Sequence, residues 1–564
     1  MKIQSIQNSL LSRNLKFKSS GNNFYHSRPI GQDIFVFSLK DQNKTVKPLN
    51  VNYTTASKIV HNLSTATSGH RAPWMSETFS PEAVNLIALG VAEYAKENSL
   101  KHGKPTVIIG GDTREATRKS LPKIKDTLTK QGVDVIYMED PVPTPLLALS
   151  ANKFGLGISI LMTASHNPWT DGGFNFITPE GAVAPTEVTG KIAQHIDKIA
   201  KRGTYTEDIV PTGEVYGFNP YSMYKKELEK SGLIDFEKIK KSGVTVYYDC
   251  LGGTGRYVMP KLLREYNIPC EEVTSSGQIG PNPTDENLKE LARFVEWGDE
   301  ELKIGLANDG DADRFGVIDE EGDFISPNDV LLLVAYHLVK NKGLKGDIVR
   351  NQGTTQLLKT LGEKYGLITH ETPVGFKYLA HDILQAREEG RDIIVAGEDS
   401  GGLTTYGHIP EKDGILADFL ILDLVADEQK PLSRILKNIK SELGYETFIE
   451  NESKRLKDDT AKQKVMQKVE NRFNSALEGD VDFGEMHKVD IDNTIKTAEN
   501  IRKYRPEGDG FKFVMTDGST VLVRKSGTEP VMRFNIEATG KTWHEAEKGA
   551  ESLKEYIDSE FSEE

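Results

Sequence analysis

The sequence predicts an α/β protein in which helices cover both faces of mostly parallel sheets. From residue 80 onward, segments with apolar residues at helical spacing alternate with short apolar runs that are typical of buried strands. Strand, helix and strand patterns follow one another in the order of a parallel βαβ unit. A chain of 564 residues is also longer than the roughly 250 to 300 residues at which a single hydrophobic core stops growing, so several domains are expected.

The first α/β unit is the most regular one. It opens with a helix, because Ser80 and Pro81 form a cap and first-turn pair ahead of apolar residues at helical spacing. The predicted elements after it are a strand at 107–110, a helix at about 119–130, a strand at 133–138, a helix at about 145–154 and a strand at 156–162. The segment TASHNP, at 163–168, follows the last strand. Open α/β sheets bind their ligands at the carboxyl ends of strands.

The same plan recurs twice before the pattern changes. The second unit has a strand at 244–249, a helix at 258–266 and a strand that ends at NDGDADRFG. The third has a helix at about 329–340, a strand at 348–350, a helix from residue 355 and a strand that ends at GEDSGG. Near the C-terminus, a helix at about 462–471 precedes two antiparallel strands joined through Asp517 and Gly518. We expect an extension at 1–55 and domains at 56–215, 216–322, 323–442 and 443–564.

Composition indicates a soluble globular protein whose partner is a small molecule. The formal net charge of -14 gives no general attraction to nucleic acid or to an anionic membrane. The apolar runs are shorter than the roughly 20 residues that span a bilayer. Cys250 and Cys270 are the only cysteines, which suits a reducing compartment such as the cytoplasm. Residues 1–32 lack acidic side chains, so they are either an organelle transit peptide or a loosely docked extension.

The serine in TASHNP has three possible roles. A serine at a strand tip can cap a helix, occupy a turn or act as a nucleophile, and only its surroundings decide between these roles. Ser165 is followed by His166, Asn167 and Pro168, so a stiff turn and a possible proton or phosphate partner adjoin the hydroxyl.

Three aspartates at alternate positions follow a strand pattern in the second unit. In extended backbone, Asp309, Asp311 and Asp313 would share one side, so their carboxylates would converge. Close carboxylates repel each other, and a hard divalent cation such as Mg²⁺ relieves that repulsion. The spacing also resembles the start of an EF-hand. Arg314 occupies the position that needs glycine, however, and the flanks look like strands. A solvated acidic turn is the other alternative.

The third and fourth loops offer groups that suit a phosphorylated sugar. In GEDSGG, at 397–402, acidic and hydroxyl groups could hold sugar hydroxyls, although a polar turn explains the same letters. In RKSGTEP, at 524–530, two cations, two hydroxyls and a glycine form a candidate phosphate cradle, with a basic hairpin end as the alternative. Together the four loops point to phosphoryl transfer onto or off a phosphosugar.

In this order and at these separations, TASHNP, DGDADR, GEDSGG and RKSGTEP resemble the motifs of the α-D-phosphohexomutase superfamily of phosphoglucomutases and phosphomannomutases. The likeness runs from TSGHR, at 67–71, to about Ala538. It implies a heart-shaped molecule with three α/β mixed-sheet domains and a C-terminal α+β domain around a central cleft. It also implies an isomerase that interconverts the 1- and 6-phosphates of glucose, mannose or both. The phosphoserine enzyme would use a hexose 1,6-bisphosphate intermediate and activator and one Mg²⁺ per chain.

The resemblance assigns roles to individual residues. The implied catalytic residues are Ser165, His166, Arg114 and Lys377. The implied metal ligands are Ser165, Asp309, Asp311 and Asp313. The implied substrate-binding residues are Arg71, Arg314, Gly375, Glu398, Ser400, Arg524, Ser526, Gly527 and Thr528. From local sequence alone, Arg114 could instead be a surface charge and Lys377 a solvated loop lysine.

Two positions depart from the family pattern. Asn175 stands where some bacterial members carry a lysine, and Gly402 stands where those members and the glucosamine branch usually carry a histidine. Both acid/base candidates are therefore missing, which puts more weight on Lys377 and His166. The segment GHIPEKDG, at 407–414, favours the gluco/manno branch and, within it, glucose phosphate.

Other functions compete with this prediction. A phosphoglucosamine mutase is one alternative, and a catalytically silent sugar-phosphate sensor is another. A sensor would need neither the serine nor the metal aspartates. A phosphatase of the haloacid dehalogenase type would have Thr or Val in place of Asp313. The enzyme is expected to be a monomer or a homodimer.

Overall fold

Four β-sheets, one for each predicted domain, organise the described part of the chain. The computed structural model describes residues 34–37, 48–49, 51–65, 69–98, 103–204, 211–275, 280–477, 510–515, 517–525 and 530–561. Most of the predicted N-terminal extension lies outside these ranges. The described residues from Phe35 onward belong to one compact unit.

The first sheet has seven strands in the order β1-β7-β4-β3-β5-β6-β2. Strands β7, β4, β3 and β5 run parallel to one another. The pairs β5–β6 and β6–β2 are antiparallel. The bounds are β1 Ile34–Phe37, β2 His70–Pro73, β3 Thr106–Gly111, β4 Asp134–Tyr137, β5 Ile158–Met162, β6 Asp171–Ile177 and β7 Val215–Phe218. The predicted parallel succession is confirmed for β3, β4 and β5.

Of the five described helices of the first domain, the second, third and fourth begin and end close to the predicted positions, whereas the first and fifth were not predicted. The five helices are Tyr53–Thr65, Pro81–Glu97, Glu115–Lys130, Thr144–Phe154 and Thr186–Arg202. Ser80 caps its helix by accepting a hydrogen bond from the backbone N–H of Ala83, as expected for a serine ahead of proline. Helix Tyr53–Thr65, which the sequence pattern did not predict, buries Ala56, Ile59 and Leu63.

The second sheet has five strands in the order β12-β11-β10-β8-β9. Strands β8, β9 and β10 are parallel, and β10, β11 and β12 form an antiparallel meander. The bounds are β8 Thr245–Asp249, β9 Cys270–Val273, β10 Lys303–Asn308, β11 Phe315–Ile318 and β12 Phe324–Ile325. Its helices are Tyr221–Ser231, Phe236–Ser242, Met259–Glu265 and Asp285–Trp297, with a 3₁₀ turn at Thr254–Tyr257.

The third sheet has four strands in the order β14-β13-β15-β16. All neighbours are parallel except β15 and β16, which form a hairpin. The bounds are β13 Asp347–Asn351, β14 Thr369–Thr372, β15 Ile393–Glu398 and β16 Gly402–Thr405. Its α-helices are Pro327–Tyr336, Leu357–Tyr365, Phe376–Glu388, Gly414–Glu428 and Leu432–Leu443, and a π-helical turn follows the first at His337–Asn341.

The fourth sheet is entirely antiparallel, in the order β17-β20-β19-β18. The bounds are β17 Glu446–Arg455, β18 Gly510–Val514, β19 Thr520–Lys525 and β20 Val531–Gly540, and the helices are Asp459–Leu477 and Trp543–Glu560. The prediction of three α/β domains followed by an α+β domain is therefore confirmed.

The domains share buried surface. A single apolar cluster joins Leu161 of the first domain to Leu306 of the second and Leu333 of the third. The fourth domain has its own core and docks on the third through Glu537, which accepts a hydrogen bond from the Gln356 N–H at 3.0 Å. No described helix is both long and apolar enough to cross a bilayer. Cytoplasmic location and a monomeric or homodimeric state remain predictions from the sequence.

Candidate active site

Ser165 lies in the loop that follows strand β5. Its side chain is buried, with 2% of the residue exposed, and its φ of 51° is in the left-handed region. Its backbone N–H donates to Thr163 Oγ1 at 2.8 Å, and its Oγ donates to Asp309 Oδ2 at 2.9 Å. The loop therefore presents the hydroxyl to the second domain.

The three predicted metal ligands converge between strands β10 and β11. Asp309, Asp311 and Asp313 are all buried, and one carboxylate oxygen from each lies within 4.8 Å of the others. The flanking elements are antiparallel strands, which excludes the helix-loop-helix of an EF-hand. Glu320, the twelfth position of that motif, accepts a hydrogen bond from Ser433 instead.

The carboxylate cluster suits a divalent cation. Burial, followed by the charges of Asp311 and Asp313, raises the pKa of Asp309 well above its ordinary value, and burial also raises the pKa of Asp311. One buried oxygen of Asp311 and one of Asp313 have no hydrogen-bond partner within the described part of the chain. Unpaired buried carboxylate oxygens are the donors that a hard cation such as Mg²⁺ takes. The donor set therefore fits the predicted metal.

Cationic groups surround this cluster. The side chain of Arg314 adjoins Asp313, with Nε 3.9 Å from Oδ1, and the Arg71 guanidinium reaches the serine loop at Ala164 O. His166 Nδ1 lies 3.3 Å from Ser165 Oγ. Burial, followed by the positive charges of Arg314 and Arg71, lowers the pKa of His166 to about 2. The imidazole next to the nucleophile is therefore neutral.

Sequence reasoning missed Lys412, which precedes helix Gly414–Glu428. Its Nζ lies 2.6 Å from Asp313 Oδ2. Burial lowers the pKa of Lys412, but the carboxylates of Asp313 and Glu411 outweigh that effect and the net pKa is raised. The lysine crosses the space that a side chain at Gly402 would fill, because a Cβ there would lie 2.2 Å from Lys412 Cδ. The missing side chain at Gly402 was the available signal.

The third motif loop, GEDSGG at 397–402, which we call the sugar loop, is held together by hydrogen bonds to Glu398 at the end of strand β15. Its Oε1 accepts from Asn351 Nδ2 at 3.2 Å and from the Gly375 N–H at 3.0 Å, and its Oε2 accepts from Ser400 Oγ at 3.4 Å. The structure thus brings together three predicted substrate-binding residues. Asn351, which sequence reasoning missed, follows an apolar strand run in the same way as the motif residues do. The loop adjoins the aspartate loop, since Phe315 N–H donates to Gly401 O at 3.0 Å.

Lys377 and Asn175, the two other positions considered for an acid or base, make different contacts. Lys377 Nζ donates to Thr186 Oγ1 at 3.2 Å, at the start of a helix of the first domain. Asn175 is buried in strand β6, opposite Leu161. The lysine that contacts the aspartates is Lys412. A catalytic role for Lys377 stays a prediction.

The fourth motif loop, RKSGTEP at 524–530, which we call the phosphate loop, joins strands β19 and β20. Ser526, Gly527 and Thr528 lie outside the described residues, but the strands on both sides fix the ends of the loop. Arg524 lies directly opposite Arg533 in the antiparallel ladder. Like charges at facing positions destabilise a sheet, so a nearby anion would stabilise this pair. Arg533 was missed because its position opposite Arg524 depends on strand register.

Arg114 approaches the serine loop from the first domain. It precedes helix Glu115–Lys130 and is buried, with 1% exposed. Its guanidinium donates to backbone carbonyl oxygens of the loop and to Asp112. Arg114 therefore lies beside Ser165, and its contacts with the serine loop are to backbone oxygens.

Four motif loops on four successive domains, with Ser165 beside three buried aspartates, agree with the predicted enzyme of phosphoryl transfer. The chain matches the alpha/beta/alpha domains I, II and III and the C-terminal domain of phosphoglucomutase/phosphomannomutase, over residues 62–203, 222–322, 326–442 and 486–553. The chain therefore belongs to the phosphoglucomutase/phosphomannomutase family of the phosphohexomutase superfamily, whose members are isomerases.

The chain is similar to curated relatives over most of its length. A Methanopyrus kandleri protein named "Probable phosphoglucosamine mutase" is 29% identical over 504 residues, covering 87% of this chain and 96% of the relative. The Thermococcus kodakarensis phosphoglucomutase/phosphomannomutase is 26% identical over 491 residues, covering 86% and 94%. The open form of Paramecium parafusin, a phosphoglucomutase, has the same fold. It has a TM-score of 0.71 and 22% identity, and the match covers 94% of this chain and 96% of parafusin.

Proposed function

We propose that this enzyme interconverts hexose 1-phosphate and hexose 6-phosphate, with glucose or mannose phosphate as substrate, through a phosphorylated Ser165. The observation that carries the proposal is the 2.9 Å contact between Ser165 Oγ and Asp309 Oδ2. It joins the strand-tip serine of one domain to the three-carboxylate cluster of the next. A serine that only formed a turn would need no such cluster, whereas phosphoryl transfer needs charge neutralisation at the reacting oxygen.

The reaction consists of two phosphoryl transfers. In the first, the free hydroxyl of hexose 1-phosphate attacks the phosphorus of phosphoserine. The bond from phosphorus to Oγ breaks with its electron pair on Oγ, and the hydroxyl proton leaves to a base. The resulting hexose 1,6-bisphosphate reorients and returns its other phosphoryl group to Ser165. Added bisphosphate would phosphorylate the unmodified enzyme in the same way, so it acts as an activator.

The residues around Ser165 supply charge and position. Mg²⁺ held by Asp309, Asp311 and Asp313 would neutralise their charges and stabilise the charge on the transferring phosphoryl group. Lys412 is protonated and next to Asp313, so it can donate a proton or a hydrogen bond to a reacting oxygen.

The distal groups hold the sugar while either phosphate reacts. Glu398 and Ser400 would hold the ring hydroxyls. Arg524 and Arg533, with the hydroxyls of Ser526 and Thr528, would bind the phosphate that is not reacting. The Gly527 N–H can add to that cradle.

Glucose phosphate is the proposed preferred substrate, because Gly402 lacks the histidine that is usual in the glucosamine branch. The Methanopyrus kandleri relative, named a phosphoglucosamine mutase, makes glucosamine phosphate the second candidate. Parallel assays with glucose, mannose and glucosamine 1-phosphates, under identical Mg²⁺ and bisphosphate, decide between them. A preference for glucosamine phosphate by tenfold or more would reverse the order of the two candidates.

Intact-protein mass spectrometry tests the covalent step. The unaltered enzyme should gain one phosphoryl group on incubation with hexose 1,6-bisphosphate, and Ser165→Ala should neither gain it nor turn over substrate. Ser159→Ala serves as the control, since Ser159 is also a buried serine but lies within strand β5. Normal turnover by Ser165→Ala would show that the serine is not the phosphoryl carrier.

A further inference from the structure

Ser165 has a backbone conformation that residues with a Cβ rarely adopt. Its φ of 51° is unfavourable for any residue except glycine and persists only where the surrounding structure imposes it. In this conformation the side chain reaches Asp309 Oδ2, and the carbonyl oxygen accepts a hydrogen bond from Arg114. A loop that relaxed to an ordinary φ would redirect Oγ away from the aspartates.

Arg114 binds the serine loop through the backbone carbonyl oxygens of that loop. An arginine side chain has five N–H groups, and here each group finds a protein acceptor. One terminal nitrogen donates to Ser165 O at 2.6 Å and to Asn167 O at 2.7 Å, the other donates to Pro168 O and to Asp171 O at 3.3 Å, and Nε donates to Asp112 Oδ2 at 2.9 Å. Four carbonyl oxygens between Ser165 and Asp171 thus converge on a single buried cation.

The second domain closes the other side of this arrangement. The Trp169 ring covers the Arg114 guanidinium, with 5.1 Å from its central carbon to the ring centroid. Trp169 packs against Gly252, where a Cβ would lie 3.0 Å from the indole. A Cβ at Gly310 would lie 2.7 Å from Ser165 O. The loop is therefore enclosed between Arg114 and residues of the second domain.

We infer that Arg114 is a positioning residue that keeps Ser165 in its left-handed conformation, and that it acts on phosphoryl transfer only through the loop. All five of its N–H groups are already used by protein oxygens, so a phosphate would have to displace the contacts that shape the nucleophile. The inference rests on the proposed function in one respect, that Ser165 is the phosphoryl carrier.

Arg114→Lys tests this role, because lysine keeps the charge but offers only three N–H groups. Three quantities are measured: hydrogen–deuterium exchange of peptides that cover 163–171, the single-turnover rate at which glucose 1,6-bisphosphate phosphorylates Ser165, and the KM for glucose 1-phosphate. We expect faster exchange confined to the loop, a phosphorylation rate reduced about a hundredfold by the misplaced hydroxyl, and a KM within about threefold of normal. Arg118→Lys, exposed and one turn along the same helix, should leave all three unchanged.

Two results would overturn the inference. A raised KM with unchanged loop exchange would show that Arg114 binds the substrate phosphate, and unchanged exchange with an unchanged rate would show that the loop keeps its shape without it. Failure of the unaltered enzyme to become phosphorylated would count against the proposed function only, because the exchange comparison still decides the role of Arg114. If Arg114→Lys aggregates, Arg114→Gln replaces it as the variant, because glutamine removes the charge and keeps only two N–H groups, and the same outcomes apply.

Discussion

The two ends of strand β11 carry buried aspartates with different purposes. At its start, the loop that contains Asp309, Asp311 and Asp313 faces the serine of the first domain. At its end, Asp319 opens the turn to strand β12. Burial raises the pKa of Asp319 to about 6, and burial together with neighbouring carboxylates raises the pKa of Asp309 and Asp311. Burial and a raised pKa are therefore common to both ends.

The hydrogen bonds distinguish the two ends. Asp319 Oδ1 accepts from the backbone N–H groups of Glu321 at 3.0 Å and of Asp323 at 2.9 Å, so its own turn supplies its donors. At the other end, Asp311 and Asp313 each keep a buried oxygen for which the described residues offer no hydrogen-bond donor. A buried acceptor without a donor is costly. Unsatisfied acceptors, more than perturbed acidity, therefore distinguish a ligand site from a structural turn.

The largest expected effect is on activity. Asp311→Asn keeps an oxygen that can accept from Thr144 Oγ1, which donates to Asp311 Oδ2 at 2.8 Å in the unaltered protein, but it removes one of the three charges that would hold the cation. We expect kcat to fall by roughly a thousandfold or more at saturating Mg²⁺. The matched control is Asp319→Asn, which should retain near-normal kcat. Equal losses in the two variants would remove the functional distinction between the two ends.

The next prediction concerns Lys412, whose ammonium group lies next to Asp313. In Gly402→Ala, the added Cβ would collide with Lys412 and move its Nζ away from Asp313. We expect kcat to fall by about a hundredfold, the range for a lost general acid. Lys412→Met should cost as much, and the double variant should cost no more than either, because both changes remove one group.

Gly190→Ala controls for the added methyl group. Gly190 lies within helix Thr186–Arg202, and a Cβ added there would meet no atom within 4 Å among the described residues. Its activity should therefore be normal. Additive losses in the double variant would show that Gly402→Ala disturbs the sugar loop independently of Lys412.

A third prediction separates the two ends by their response to Mg²⁺. The unaltered protein should gain about 2.7 kcal/mol in the transition that unfolds the second domain when Mg²⁺ is raised to about a hundred times its Kd. Asp311→Asn should gain little from Mg²⁺, but in chelator it should be more stable than the unaltered protein, because one of three mutually repelling carboxylates is gone. Denaturant unfolding with and without chelator measures both. A full Mg²⁺ response in Asp311→Asn would place the cation elsewhere.

Much of the fold could be predicted because its signals are local. The apolar run at 158–162 and the spacing after Pro81 predicted a strand and a helix that the structure confirms. Strand β6 was missed because its sequence, DGGFNFI, has two glycines near its start and reads as a continuation of the loop. Helix Tyr53–Thr65 was missed because it adjoins an extension rich in polar residues, and its stability comes from packing on helix Thr186–Arg202.

The candidate site, like the fold, could be predicted from the sequence only in part. Each of the four loops carries a contiguous motif, so Ser165 and the aspartates could be found without a structure. Lys412 could not, because its relevance depends on the space left by Gly402 ten positions earlier and on its contact with Asp313 of another domain. Arg533 depends in turn on strand register. Residues that act through tertiary proximity leave at most an indirect signal in the sequence, such as the missing side chain at Gly402.

The smallest expected effect is on the stability of the structural turn. The folded-state pKa of Asp319, about 6, lies above its ordinary value of 3.8, so the folded protein binds this proton more tightly than the unfolded chain does. The stabilisation from that proton is fully present below the ordinary pKa and is lost as pH rises through the folded value. At neutral pH the buried carboxylate is therefore a cost that Asn, which is always neutral, avoids.

Asp319→Asn should accordingly stabilise the second domain by roughly 1 to 3 kcal/mol at pH 7, the range that a shift of about two pKa units allows, and by almost nothing near pH 4. Asn can still accept from Glu321 and Asp323, so the turn keeps its hydrogen bonds. Asp323→Asn, at an exposed position of the same turn, provides the matched control and should show no such pH dependence. Unfolding midpoints across pH 4 to 8 measure the difference. A constant gain at all pH values would mean that packing rather than the charge of Asp319 is responsible. Loss of stability at pH 7 would mean that the carboxylate is needed by the turn, and the two ends of strand β11 would then differ less than their hydrogen bonds indicate.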